Sequence, residues 1–312
     1  MDVIEAEGLG KIYPGGVEAV KGIDFEVPEG EVFGLLGPNG AGKSTTVGML
    51  TTTVVPTSGT ARVAGHDVVR HPLLARSVSS VVFQEAVVDQ GLTGQANLEL
   101  HTRLWGVAPD QARRWSGELV DVLGLGELID RPVSSYSGGE RRRLEIARAL
   151  TSHPRVLFLD EPTVGLDPRI RHELLDVIEG LRTREDLTIL LTTHYLDEAS
   201  RLCDRVAIVH AGSLVALDSP QALLEGLGRE ILEFRADGDP HQALALLRQR
   251  GVAGADAFAV GARVTVPLHR HPATEALAAI EAENVRALDI ATRAPNLDDV
   301  YLKFTGSLSE AA

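Results

Sequence analysis

Eight residues, Gly37-Pro38-Asn39-Gly40-Ala41-Gly42-Lys43-Ser44, fit G-x-x-x-x-G-K-[ST] with no deviation. They follow the apolar run Glu31-Val32-Phe33-Gly34-Leu35-Leu36 and lead into a segment, Lys43 to about Leu50, that reads as a helix. Strand, glycine-rich loop and helix in this order constrain the fold more than any other feature. The glycines let the backbone wrap phosphates closely, and such a loop works at the carboxyl end of a buried strand. Lys43 is expected to reach the β and γ phosphates and the Ser44 hydroxyl to hold Mg²⁺.

A second glycine-bearing element, Tyr136-Ser137-Gly138-Gly139-Glu140, begins twenty residues before Val156-Leu157-Phe158-Leu159-Asp160-Glu161. Ser137, Gly138 and Gly139 precede a helix and are built to present backbone N–H groups and a hydroxyl to phosphate. The chain holds one copy of each loop. Asp160 and Glu161 end a short apolar run typical of a strand buried on both sides. Asp160 is placed to hold Mg²⁺, and Glu161 to act as general base on water or to orient it. Adjacent strand residues point to opposite faces, so both carboxylates can serve one site only if the chain turns between them. His194 after Thr188–Thr192 and Gln84 after Val81-Val82-Phe83 stand at further strand ends. Tyr13 precedes the Pro14-Gly15-Gly16 turn and offers a ring face to a purine. Taken singly, these three read as a structural histidine, an exposed glutamine and a packing tyrosine.

Strands and helices alternate through residue 220, which implies a mainly parallel sheet covered by helices. Short strands are expected at 3–6 and 24–27. Residues 93–130 read as helical, with Trp115, Leu119, Val122 and Leu123 on one stripe. Gly226-Leu227-Gly228 reads as a joint. Beyond it the pattern gives strand 230–236, helix 240–250, strands 257–260 and 262–268, helix 273–284, strand 285–292 and helix 296–305. That βαββαβ order with a last helix suggests a small ferredoxin-like unit. A length of 312 residues allows two compact domains. Thirty basic and 44 acidic side chains give −14, which argues against nonspecific nucleic-acid binding. The single cysteine, Cys203, excludes an intrachain disulfide and reads as a small buried apolar residue. No apolar run reaches a membrane span, and Met1 to Gly10 lacks the features of a signal peptide, so a soluble, cytoplasmic chain is expected.

Together these elements resemble the nucleotide-binding subunit of an ATP-binding cassette transporter, in the family's order across residues 1–220. Gly37–Thr45 looks like the Walker A loop, Gln84 the Q-loop and Ser137-Gly138-Gly139-Glu140 the signature loop. Val156–Glu161 looks like Walker B, Gly165-Leu166-Asp167 the D-loop, His194 the switch histidine and Tyr13 the adenine-stacking aromatic. A narrower likeness, to the daunorubicin-resistance type of drug-exporter ATPase, rests on four segments. These are Pro56–Thr60, Leu92–Leu98, Thr193–Ala199 and Pro295-Asn296-Leu297-Asp298-Asp299-Val300-Tyr301. Tyr136 stands where the family usually has Leu, and Glu140 where it usually has Gln.

The resemblance implies an α/β fold. A P-loop cassette domain (1–220) would hold a mainly parallel sheet, antiparallel N-terminal strands and a helical subdomain at about 90–150. A small α+β C-terminal domain (229–306) would follow. It implies ATP and Mg²⁺ as ligands, Mg²⁺ being held by Ser44, Gln84 and Asp160, and Glu161 and His194 as the catalytic pair. Tyr13, Gly37 through Thr45, Gln84 and Ser137 to Gly139 would bind the nucleotide. The expected partners are a separate membrane permease and a second copy of the chain, head to tail, at the cytoplasmic face of the membrane. No nucleic-acid partner is expected. Three other readings are a cassette ATPase acting on nucleic acid or ribosomes, a non-catalytic nucleotide-gated regulator, and an exporter of lipid, polysaccharide or ions.

Overall fold

The computed structural model describes residues 2–85, 87–181, 187–269, 272–282 and 286–305. The chain begins with β1 (Asp2–Tyr13), β2 (Val17–Pro28) and β3 (Val32–Leu36), then α1 (Lys43–Leu50), β4 (Ser58–Val63), β5 (His66–Asp67), α2 (Pro72–Ser77) and β6 (Ser79–Val82). Three helices follow, α3 (Gly94–Leu104), α4 (Pro109–Val122) and α5 (Gly138–Leu150). Next come β7 (Val156–Asp160), α6 (Pro168–Leu181), β8 (Thr188–Thr193), α7 (Leu196–Leu202), β9 (Arg205–His210), β10 (Ser213–Asp218) and α8 (Pro220–Glu225). The remainder is β11 (Glu230–Ala236), α9 (Pro240–Gln249), β12 (Phe258–Val260), β13 (Arg263–Leu268), α10 (Ala273–Ala282), β14 (Ala287–Arg293) and α11 (Leu297–Thr305). Positions 283–285, where the sequence places a helix end and a strand start, lie outside the described residues.

A six-stranded sheet runs β10-β9-β3-β8-β7-β6, parallel except for the β9–β10 hairpin. Its central strands carry the alternation that a two-sided core demands. Val32 and Leu36 of β3, Leu157 and Leu159 of β7, and Ile189 and Leu191 of β8 join the core beneath α5, α6 and α7. Phe33, Leu35, Val156, Phe158 and Leu190 join the opposite core, with α1 and the four-stranded antiparallel sheet β2-β1-β4-β5. The two cores fix the strand ends against each other, and the strand-end residues inherit that precision.

The N-terminal strands are longer than the sequence pattern predicts: β1 and β2 are each twelve residues and form one hairpin. Gly8, Gly10 and Gly22 interrupt the alternation and read as breaks, yet they sit where the pairing register shifts. They accommodate bulges inside a continuous ladder. At the β1–β4 contact Gly59 takes φ +72°, and a Cβ there would lie 2.1 Å from the Gly8 carbonyl oxygen, so only glycine fits. In α4 the buried stripe is Ser116 and Leu119, continued by Leu123; Val122 faces out.

The C-terminal strands form an antiparallel sheet ordered β12-β13-β11-β14, with a core of its own that includes Phe234, Leu247, Val264 and Val266. The last helix belongs elsewhere. Leu297, Val300 and Tyr301 of α11 pack into the core of the parallel sheet, and α11 contacts α7, α8 and β10. The Tyr301 hydroxyl lies 2.7 Å from His210 Nδ1. Arg293 ties β14 to α11 through two 2.7 Å bonds to the buried Asp299 carboxylate, and reaches Glu233 of β11 at 2.9 Å. These charge-assisted bonds raise the Arg293 pKa.

Candidate functional site

The loop between β3 and α1 is held by its own backbone and by its neighbours. Ala41 N–H donates to Pro38 O at 3.2 Å, and Gly212 N–H donates to Ala41 O at 3.0 Å. Gly42 caps α1 at φ +107°, and a Cβ there would lie 2.5 Å from the Ala19 carbonyl oxygen. Any other residue would meet both a strained φ and a clash with backbone. The loop closes one end of a cleft of about 430 Å³ lined by Tyr13, Val17, Ala19, Asn39, Gly40, Gly42, Lys43, Ser44, Thr45, Gln84 and Glu161. That volume is within the ordinary range for small-molecule sites.

Lys43 is buried, and its ammonium donates to Gly37 O at 2.8 Å and Pro38 O at 3.1 Å. It also lies 3.0 Å from Glu161 Oε1. Ser44 Oγ donates to Asp160 Oδ1 at 3.1 Å. The two carboxylates reach one cleft because the chain reverses between them: Glu161 has φ +46°, in the left-handed region. Asp160 stays on the α1 face of β7. Its cross-strand neighbour Thr192 donates to Asp160 Oδ1 at 2.6 Å and accepts from Glu161 N–H at 2.9 Å. The strand-end turn required by the sequence argument is therefore present, and Thr192 pins both sides of it.

His194 follows β8 and places Nδ1 3.5 Å from Glu161 Oε1. Among the described residues this buried nitrogen has no hydrogen-bond partner. An orphaned polar atom beside the carboxylate fits a site completed by a polar ligand. Ser44, Asp160 and the Gln84 amide are oxygen donors of the kind that suits Mg²⁺. Tyr13 is partly exposed at the cleft mouth, its hydroxyl 3.5 Å from Thr45 Oγ1.

Ser137, Gly138 and Gly139 do not line this cleft. Ser137 caps α5 and, with Gly138, faces solvent. The two unusual residues of this loop have clear local work. The Glu140 carboxylate accepts from Ser137 N–H at 2.7 Å while Ser137 Oγ accepts from Glu140 N–H at 3.3 Å, a reciprocal cap. That bond to the Ser137 backbone is the main cause of a lowered Glu140 pKa. Tyr136 is buried, and its hydroxyl donates to Leu128 O.

Sequence reasoning passed over three residues that hold this site together: Thr192, Arg142 and Glu198. Buried Glu198 accepts from Thr163, which follows Glu161 by two, and from Thr193 at 2.7 Å and Arg171 at 2.7 Å. A glutamate in the first turn of α7 gives no linear signal of such a role.

A second cleft, about 360 Å³, opens on the face of α3 and is lined by Arg76, Phe83, His101, Trp105 and Arg148, among others. Trp105 Nε1–H donates to His101 Nε2 at 3.0 Å, and His101 Nδ1 lies 2.9 Å from Thr151 Oγ1. Thr151 Oγ1 itself donates to Arg148 O at 2.7 Å, so the ring is neutral with its proton on Nδ1. Burial first, and then the charge of Arg148, lower its pKa to about 4. The folded value is below the unfolded one, so this term is fully present above pH 6.5 and is lost as pH falls toward 4. Because the ring is partly exposed, the term is discounted to about 1 kcal/mol, or a few degrees of melting temperature. Melting curves across that window should fall less steeply for His101→Gln than for the wild type. Parallel curves would show that His101 does not carry the term.

Residues 20–164 match a family model described as ABC transporter. The chain is 43% identical, over 97% of its length and 92% of the relative, to the daunorubicin/doxorubicin resistance ATP-binding protein DrrA of Streptomyces peucetius. The linearmycin resistance ATP-binding protein LnrL of Bacillus subtilis is 32% identical, covering 97% and 98%. The Nod factor export ATP-binding protein I of Ralstonia nicotianae is 36% identical, covering 97% and 94%. Among solved structures, cbiO1 from Clostridium perfringens, part of the ABC transporter complex cbiONQ, is similar at TM-score 0.67 and 27% identity, over 72% of this chain and 91% of that one. The ATP-binding cassette MJ0796, a dimer bound to ADP and Pi, shares the fold at TM-score 0.62 and 23% identity, over 69% and 98%.

Proposed function

The chain belongs to the ATP-binding cassette transporter family and is an ATP-hydrolysing subunit of an export system, and we propose that it drives efflux of a drug-like compound through a separate membrane permease. The observation that carries the reading is the convergence of Lys43, Ser44, Asp160, Glu161 and His194 through direct contacts beside a cleft that Tyr13, Lys43, Ser44 and Glu161 line. The base of ATP would stack on Tyr13, and its phosphates would lie in the loop from Gly37 to Thr45. A γ-phosphate there would share Lys43 with Glu161. Mg²⁺, when bound, would neutralise charge between the β and γ phosphates, held by Ser44, Asp160 and Gln84. Glu161 would take the proton of the attacking water, and His194 Nδ1 would sense the γ-phosphate.

The exposed Ser137 and Gly138 at the start of α5 support a head-to-tail homodimer in which each such loop closes over the partner's nucleotide. The second cleft supports a permease contact. Phe83 and Trp105 give it apolar walls, Leu104 adds an exposed apolar side chain on α3, and Arg148 Nε is a buried donor with no partner among the described residues. An amphipathic helix of the permease bearing a carboxylate would satisfy both. No described helix is long and apolar enough to cross a membrane, so a transmembrane path would come from that partner. The relatives' names favour a cargo of the daunorubicin or linearmycin type, with a Nod factor-type cargo as the second reading.

The test is phosphate release by the purified full chain. Activity should vanish when EDTA removes Mg²⁺ and return on adding it back. Turnover unaffected by chelation would end the assignment of Ser44, Asp160 and Gln84 to the metal.

A further inference from the structure

Arg142 is the middle of the run Arg141-Arg142-Arg143, five residues after Ser137, and it is buried. Its guanidinium is spent on backbone carbonyls from two separate loops. Nε donates to Pro162 O at 2.9 Å, and Nη2 donates to Asp160 O at 3.1 Å and Glu161 O at 3.4 Å. Nη1 donates to Phe83 O, immediately before Gln84, and to Glu145 Oε2 at 3.0 Å. Glu145, one turn further along α5 and equally buried, accepts from Val87 N–H at 2.8 Å through Oε1. Arg142 and Glu145 thus hold the chain at Phe83, next to Gln84, and at Val87. The same arginine grips the reversal at Glu161 through three successive carbonyls.

We infer that the Arg142–Glu145 pair is a positioning device for ATP hydrolysis, holding Gln84 and Glu161 in register with the signature helix α5. A φ of +46° is uncommon for glutamate and persists only where surrounding bonds over-determine it. Arg142 supplies three of those bonds, and Thr192 supplies another. Only a planar fork can do this, because its five N–H groups diverge from one rigid plane toward carbonyls on two loops. A lysine ammonium offers three donors at one point. The pair also makes one mechanical body of α5, the Gln84 segment and the Glu161 turn. A displacement of the permease-side groove, whose wall includes Phe83, would reach Glu161 through one side chain.

The inference rests on the assignment of Glu161 to hydrolysis, so the two are separated by reading the wild-type chain first. Lack of any ATPase activity there would fail the functional reading. With an active wild type, the test is Arg142→Lys in the full chain, which keeps a charge opposite Glu145 and leaves no buried ion unpaired. Misplacement of Glu161 and Gln84 should lower kcat about 10²-fold while the Kd for ATP stays within about threefold. The double variant Arg142→Met, Glu145→Met removes the pair as a unit and should show the same split, with folding monitored by its melting temperature. A kcat within about threefold of wild type in either folded variant, or a matching loss of ATP affinity, would overturn the role. Failure of both variants to fold would also overturn it, because the pair would then serve folding alone.

Discussion

Replacing Glu161 by Gln is expected to lower ATP turnover by about 10²–10⁴ while ATP binding is retained, the scale of lost general-base catalysis. Gln keeps the length and shape of Glu. It can still accept from the Lys43 ammonium, which lies 3.0 Å from Oε1 in the native chain. The bonds that fix the turn involve the backbone of residue 161, not its side chain: Thr192 accepts its N–H and Arg142 donates to its carbonyl. The variant should therefore fold and present the same phosphate loop. What it would lose, on the proposed role of Glu161, is a group able to take a proton from water beside the γ-phosphate. Removing the negative charge next to Lys43 should, if anything, tighten ATP binding. Steady-state phosphate release and equilibrium ATP binding on the same preparation decide the matter. Turnover near the wild-type rate would show that another residue, or the phosphate itself, accepts the proton.

The site was legible in the sequence wherever its chemistry is written locally. The phosphate loop and the Asp160–Glu161 pair are each contiguous, and so is the Ser137–Gly139 cap, which lies outside the cleft; the spacing of each follows from one strand end or one helix start. The need for a turn between Asp160 and Glu161 is legible, but what fixes it is not, because strand alternation alone sends Glu161 away from Asp160. It takes a left-handed φ, fixed by partners more than eighteen residues away in sequence, to bring it round. Arg142 was hidden for a related reason. An arginine inside a run of three reads as solvated, and its acceptors are carbonyls, which carry no sequence signal. The full length of the N-terminal hairpin is not legible either, because glycines at bulges look like glycines at breaks. The C-terminal unit shows the opposite case. Its strands and helices are local patterns and fall close to the expected positions, from β11 at Glu230–Ala236 to α11 at Leu297–Thr305. The packing of α11 against α7 and β10, through Leu297, Val300 and Tyr301, is a long-range choice of partner. Periodicity shows which face of a helix is apolar but not which core it enters.

The strongest test of the head-to-tail dimer is complementation between two dead chains. Lys43→Met keeps the stem that packs beneath the loop and removes the ammonium that would meet the phosphates. Ser137→Arg alters an exposed cap residue remote from the chain's own cleft, so its own phosphate loop should be undisturbed. Each variant alone should lose about 10²-fold or more in turnover, the cost of losing a preorganised donor to a phosphoryl group. In a closed two-fold dimer each site would combine the phosphate loop of one chain with the Ser137 loop of the other. A mixed dimer then holds one site with both defects and one with neither. Equal mixing makes half the dimers mixed, so activity should recover to about a quarter of the wild-type level. If each chain formed its own complete site, no intact combination could arise and the mixture would stay at the average of the two variants. Subunits must exchange before ATP is added, because ATP would hold the dimers closed. A mixture that stays dead under those conditions, with both variants folded and the mixed dimer verified by differential tags, would place Ser137 outside the partner's site.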